Sequence, residues 1–343
     1  MKTISKTQAF LISSAMILAS LQIATRFSYI DNQIIRKIEL VFNKTLRDPA
    51  RWIDIIQHTL NLAIFTLLNI YFINFIPWGI KIKNEIKDSL GTTKSVVYEK
   101  KSSSAFFFSC ILLFIVYFNI ITSNFYYADD VFRNYGGNRS WIGFSRYISE
   151  FLSIFLHNSL KLNDMAPLTQ FIAIAFAGAT IVLLSISLTG KVGFANVLAL
   201  SAIFIAPCFA ECVSYRFDSP YMTLSLFFAA APFLFYRCKK AFPYVSIICL
   251  TLTCMSYQAA LSLYILAAIY LFAKDSLVTG DAKKSLEQPL WALGAFALTL
   301  IIFKLFFMNK MQNKLDSYFS AQIVPAAFLG NAKAYIRQLH QDI

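Results

Sequence analysis

The chain has 343 residues, of which 57% are hydrophobic and only 14% charged, with a mean hydropathy of +0.58. A water-soluble domain cannot hide so much apolar surface, so a bilayer is the natural solvent, and the 34 Phe and 17 Tyr fit lipid contact and the membrane interface. A formal net charge of +13 would otherwise suggest nucleic acid, but Lys and Arg fall mostly between apolar runs, where headgroups and topology account for them, and nucleic acid is set aside.

A helix crosses the hydrocarbon layer with roughly 17 to 25 mostly apolar residues. By that measure the first span is Gln8 to Ala24, which follows Lys2 and Lys6 and reads as an anchor, not a cleaved signal, because many spans come after it. From Arg26 to Arg51, Ile34, Ile35, Ile38, Val41 and Phe42 recur at helical spacing while Arg36, Lys37 and Glu39 face elsewhere, the pattern of a helix lying on a membrane surface. Asp48-Pro49 then opens the next helix, a capping residue followed by proline at the first position. Further spans are expected at Ile55 to Phe75, Ser104 to Thr122, Leu168 to Leu188, Val192 to Ala210 and Pro220 to Phe235. The apolar stretch Phe242 to Phe272 is too long for one upright helix and should divide near Ser256-Tyr257-Gln258, whose side chains are costly in lipid unless they face protein or a cavity. Leu290 to Met308 completes the set.

The expected fold is therefore all-α and polytopic, with about nine transmembrane helices. Residues 1–80 form an N-terminal anchor with a surface helix and second span, 81–310 a transmembrane core with an external loop at 124–167, and 311–343 a short tail. Total basic charge does not decide orientation. Short loops do: Lys191, Arg237-Cys238-Lys239-Lys240 and Lys283-Lys284 fall on one side and Arg216 alone on the other, which puts the 124–167 loop outside.

Cysteine and histidine give no metal or triad pattern. Cys110, Cys249 and Cys254 lie within apolar runs and read as packing residues, a Cys208–Cys212 disulfide would strain a helix, and His58, His157 and His340 are scattered. Chemistry points instead to the loop after Thr122, where Asn124-Phe125-Tyr126-Tyr127-Ala128-Asp129-Asp130 sets two carboxylates just past a membrane exit. A transferase using a sugar on a lipid phosphate needs a carboxylate there to deprotonate the acceptor hydroxyl and cations to hold the departing phosphate. Asp129 and Asp130 are the candidate bases, and Arg133, Arg139 and Arg146 share the loop with paired donors suited to phosphate. A solvated loop whose charges pair with one another is the plainer reading of an isolated Asp-Asp.

Gly136-Gly137 permits a tight turn, Trp141 and Tyr147 offer flat faces for sugar rings or a membrane interface, and Ile148, Phe151, Leu152 and Phe155 form an apolar stripe expected to rest on the bilayer. A second short loop, Tyr215-Arg216-Phe217-Asp218-Ser219-Pro220, lies on the same side; its Arg and Asp either pair mutually or bind substrate. Tyr257 and Gln258 approach that face too.

Tyr127-Ala128-Asp129-Asp130 with Arg133, then Gly137, Trp141 and Arg146, and later Tyr215 to Pro220 and Ser256-Tyr257-Gln258-Ala259, resemble the type II glucosyl transferases, the serotype-converting O-antigen glucosyltransferases of temperate phages and bacterial genomes. The similarity runs from about Ser104 to Met308, and the order of its motifs is more specific than any one of them. It implies a class C glycosyltransferase in the bacterial inner membrane, moving glucose from undecaprenyl phosphate to lipopolysaccharide O-antigen on the periplasmic side. The implied partners are a polyprenyl-phosphate-linked donor, the O-antigen acceptor and membrane lipid, with a flippase and a donor-synthesising glucosyltransferase as functional associates. On that analogy Asp129 or Asp130 is the base, and Arg133, Arg146 and Arg216 contact phosphate or sugar, with Trp141, Tyr215, Asp218, Tyr257 and Gln258 as further substrate contacts. No nucleotide sugar and no dedicated cofactor is called for; an Asp pair can hold Mg²⁺ or Mn²⁺ through oxygen ligands, but one pair alone is a poor site. Family members commonly run beyond the length of this chain, so its short end implies a different acceptor or an inactive product. The competing class is a lipid-linked sugar flippase or a non-catalytic membrane partner of the O-antigen modification system. Lys304 aside, charge lies mainly at span ends, which favours surface chemistry over a transport pathway.

Overall fold

The computed structural model describes residues 77–308 except 98, 99, 158 and 160, together with scattered helical positions from 63 to 74. The expected spans Gln8 to Ala24 and nearly all of Ile55 to Phe75, the surface helix between them and the tail 311–343 lie outside the described residues. Helix is the one regular structure among the described residues, with no strand.

Twelve α-helices follow one another. They are α1 (Pro77–Val97), α2 (Lys100–Thr122), α3 (Asp130–Gly136), α4 (Tyr147–His157), α5 (Leu168–Leu184), α6 (Phe194–Ser201), α7 (Pro207–Ser214), α8 (Ser219–Ala230), α9 (Ala241–Cys254), α10 (Leu261–Thr279), α11 (Ala282–Ser285) and α12 (Glu287–Ile302). Four segments are long and apolar enough to cross a bilayer: Lys101–Thr122, Leu168–Thr189, Gln258–Thr279 and Ala282–Phe307. The expected span Val192 to Ala210 is broken: Phe194–Phe204 and Pro207–Ser214 meet at 67°, and as one bent crossing they make a fifth. The break has a local cause, because Ala206 is extended and Pro207 takes the first turn of α7, where its missing N–H costs nothing. Pro220 to Phe235 and the first half of the long apolar stretch form shorter apolar helices, Ser219–Phe235 and Ala241–Cys254, so of the seven expected crossings that fall on described residues four, or five with the bent pair, are long and apolar enough to span.

The division of the long stretch falls where the sequence places it. Thr251, Thr253 and Ser256 turn their hydroxyls back on the carbonyls of Ile247, Cys249 and Leu252, a habit that bends helices, and Tyr257 is extended. Backbone groups freed in an apolar layer must find partners. The Met255 carbonyl accepts from the Ile148 N–H at 2.9 Å, and the Ser256 carbonyl accepts from the Ser149 hydroxyl at 3.0 Å, so the start of α4 docks on the break.

α5 packs on α2 and α8, and α9 packs on α8 and α12. Close approach of α5 to α2 rests on Gly178: a Cβ there would meet Cys110 Sγ at 2.7 Å. Helix α1 runs unbroken through residue 80, where the sequence suggested a boundary, and buries Ile82 against the bundle. Its Glu85 accepts the Lys240 and Ala241 N–H groups at 3.2 and 3.1 Å, filling the N-terminus of α9. The chain therefore alternates between two ends, one gathering 124–167, 215–218 and 255–258, the other 190–193, 237–240 and 280–287. The six described cysteines, Cys208 and Cys212 included, are free thiols.

Candidate functional site

Three stretches meet at the first end. The turn after α2 leads into α3, which begins at Asp130 and is capped by Gly137; this glycine adopts φ +61 and returns its N–H to the Arg133 carbonyl at 2.8 Å. The two adjacent carboxylates separate here. Asp129 is exposed, whereas Asp130 is 0% exposed and its Oδ2 accepts N–H groups from Arg216 at 2.8 Å and Tyr127 at 3.3 Å. Asp130 thus ties the turn before α3 to the 215–218 loop. Burial pushes its pKa up to about 6, the backbone donors pulling the other way, and its Oδ1 has no hydrogen-bond partner.

The arginines sort themselves by partner. Arg133 Nε lies 3.2 Å from Asp218 Oδ2, its guanidinium stacks 4.3 Å over the Trp141 ring and reaches the Arg139 carbonyl, and Trp141 Nε1 donates to Asp218 Oδ1. Arg139 pairs with Glu150 at 3.1 Å, and the other Glu150 oxygen accepts the Trp141 N–H at 3.2 Å. Arg216 makes a two-pronged pair with Asp164 at 2.7 and 3.3 Å, donates to Asn124 Oδ1 at 2.7 Å and lies over Tyr126, whose hydroxyl donates to Asp164 at 2.9 Å. Arg216 and Asp218, neighbours in one loop, each take a carboxylate or guanidinium from the 124–167 loop and do not pair mutually.

Arg146 differs. Its guanidinium lies over the rings of Tyr257 at 4.7 Å and Phe144 at 5.3 Å, its Nε is buried without a hydrogen-bond partner, and among the described residues no carboxylate forms an ion pair with it. Burial pushes its pKa down, while Asp218, Tyr257 and the exposed Asp129 act electrostatically to keep the charge. Asp129 also faces Tyr215, whose phenol burial lifts to about 12 and whose ring meets Tyr127 edge to face at 5.1 Å. Gln258 is engaged with protein, its amide donating to the Phe144 carbonyl at 3.0 Å.

The structure thus gathers the ten sequence-picked residues at one end, but in different states. Arg133, Trp141, Arg216 and Asp218 are buried in a network, Asp130 links two loops, Asp129 is exposed, and Arg146, Tyr215 and Tyr257 are half-buried. Asp164, Glu150 and Asn124 carry as much of the network and were not singled out by sequence. Glu150 left a trace, as the one carboxylate within an apolar stripe. That stripe splits: Ile148 packs inward while Phe151 and Phe155 are exposed, so it is not one bilayer-facing row. Among the described residues no three His, Cys, Asp or Glu are gathered as a metal site.

A family model described as glucosyl transferase GtrII matches residues 118–340. The chain belongs to that family. The match takes in both converging loops and the broken helix, and so covers every residue of this end. A curated relative, described as an uncharacterized 55.3 kDa protein in the gtrB 5′ region of Salmonella phage P22, is 30% identical over 156 residues, which is 45% of this chain and 31% of the relative; the chain thus matches about a third of that protein's length. No solved structure matches this chain.

Proposed function

We propose that this chain is an inner-membrane glucosyltransferase that moves a glucosyl residue from undecaprenyl-phosphate glucose to an O-antigen repeat unit on the periplasmic face, and so alters the serotype. The observation that carries the reading is an exposed carboxylate at a membrane exit beside an arginine without an ion-pair partner: Asp129 and Arg146. In this scheme Asp129 takes the proton of the acceptor hydroxyl, the acceptor oxygen bonds to the anomeric carbon, and the bond from that carbon to the phosphate oxygen breaks. The phosphate leaves with the electron pair and is held by the Arg146 guanidinium, which is already desolvated and backed by two rings. Tyr257 and Tyr215 flank the sugar. Arg133, Arg216 and Asp218 act at one remove, holding the loops in register.

Asp129→Asn should leave the protein in the membrane and lower transfer by about 10²- to 10⁴-fold, the range for a lost general base. Labelled undecaprenyl-phosphate glucose and O-antigen acceptor in proteoliposomes give the readout, with O-antigen composition of intact cells alongside. Unchanged transfer by Asp129→Asn would remove Asp129 from the mechanism. Movement of the lipid-linked sugar across the bilayer without product would replace the transferase by a flippase.

A further inference from the structure

In the 124–167 loop, α3 has its faces inverted and α4 turns an aromatic pair outward. On α3 the charged side chains Asp130 and Arg133 are buried, while Phe132 is 78% and Tyr135 88% exposed, with Val131 and the preceding Phe125 also outward. On α4 Ser149, Glu150, Ser153 and His157 are buried together with Tyr147 and Ile148, while Phe151 and the 65% exposed Phe155 face out, their rings 5.0 Å apart edge to face. A helix covering a protein in water does the reverse, apolar side in and polar side out. α3 alone could follow from a local need for charge; with the outward Phe151–Phe155 pair of α4 joined to the same ion-pair network, the loop presents an aromatic patch to the outside.

What meets that surface is lipid. The segment leaves α2 at Thr122, and α2 already turns Phe107, Ile111, Ile115 and Phe118 outward over a bilayer-spanning length, so Phe125 and the outer side of α3 continue a lipid-facing surface along the chain. No charged side chain of α3 faces out, and aromatic rings are the residues most favoured where hydrocarbon meets headgroups. We propose that α3 and α4 lie within the interfacial layer of the membrane, aromatic faces in lipid and charged faces on the protein, so that the loop is an immersed lid instead of a solvated one. Resting on the proposed function, the consequence is that immersion holds Asp129, at the start of α3, and Arg146, at the start of α4, at the depth of lipid phosphate groups.

The test uses the full chain in phospholipid nanodiscs. Tryptophan is placed at Phe132→Trp, Phe155→Trp and, as a water-facing reference, at the exposed Lys161→Trp, and the added emission is read against the parent protein. At 132 and 155 it should be blue-shifted, quenched by lipid brominated near the headgroup and spared by aqueous iodide; at 161 the pattern should reverse. Iodide quenching at 132 and 155 equal to that at 161, without bromolipid quenching, overturns the proposal, and so does protection that arises only on adding O-antigen polysaccharide. These readings do not depend on activity. Phe132→Lys with Phe155→Lys should then lower transfer while Phe132→Leu with Phe155→Leu retains it; equal transfer by both pairs leaves the helices in lipid but removes the link to phosphate depth.

Discussion

The two ends of the bundle carry ion pairs of opposite character. At the loop end Arg139 and Glu150 are each 3% exposed, and Arg133 and Asp218 7% and 4%; at the other end Lys239–Glu287 has side chains 50% and 40% exposed, and Lys284–Asp281 80% and 38%. Burying a charge costs several kcal/mol before its partner returns anything, so a fold selected for stability alone would place such pairs at the surface or replace them by apolar contacts. That cost is accepted at one end only. It is the end where two loops and a broken helix must hold a fixed geometry, and where the unmatched cation Arg146 stands among matched ones.

The contrast can be broken experimentally. The largest effect is expected from Asp218→Ala, which strands Arg133 and the Trp141 indole N–H inside the protein; a loss of roughly 3–5 kcal/mol should appear in thermal unfolding of the purified chain in detergent. A loss below about 1 kcal/mol would mean that water reaches the network. Next comes the pH dependence of Asp130. Its folded pKa, about 6, lies above the ordinary carboxylate value, so the folded state holds the proton more tightly than the unfolded chain does. Its contribution to stability is therefore fully present below the ordinary carboxylate value and is lost as pH rises through about 6. Over that window the change is on the order of 3 kcal/mol, and Asp130→Asn, which keeps an acceptor for the Arg216 N–H, should flatten it. Equal pH slopes for the two proteins would exclude Asp130 as their source. The smallest effect belongs to Lys239→Ala, which should change stability by less than about 1 kcal/mol, as exposed pairs do.

How far each feature could be read depends on the range of the interaction behind it. The spans from Ser104, Leu168 and Leu290 follow from runs of apolar residues, and the division near Ser256 to Gln258 follows from hydroxyls that compete for helix carbonyls within one turn. The kink before Pro207 has an equally local cause, although the apolar run concealed it. The expected count of crossings was less secure, because an apolar run records preference for lipid and does not distinguish a full crossing from a shorter helix buried among others.

The Asp129-Asp130 pair marks the limit. Sequence sets two like residues side by side at a membrane exit with arginines near by, and nothing local tells them apart. The difference comes from Arg216, whose N–H reaches Asp130 across 86 positions of chain, and from Glu150, Asp164 and Asp218, which neutralise three of the four arginines and leave Arg146. Composition and hydropathy determined the solvent, the helical class and the end at which polar residues collect, since those depend on each residue's own transfer energy. Which carboxylate is buried, which cation is free and which face of a loop helix meets lipid were decided by the tertiary structure, because a charge is stabilised or stranded only by the groups that folding brings to it.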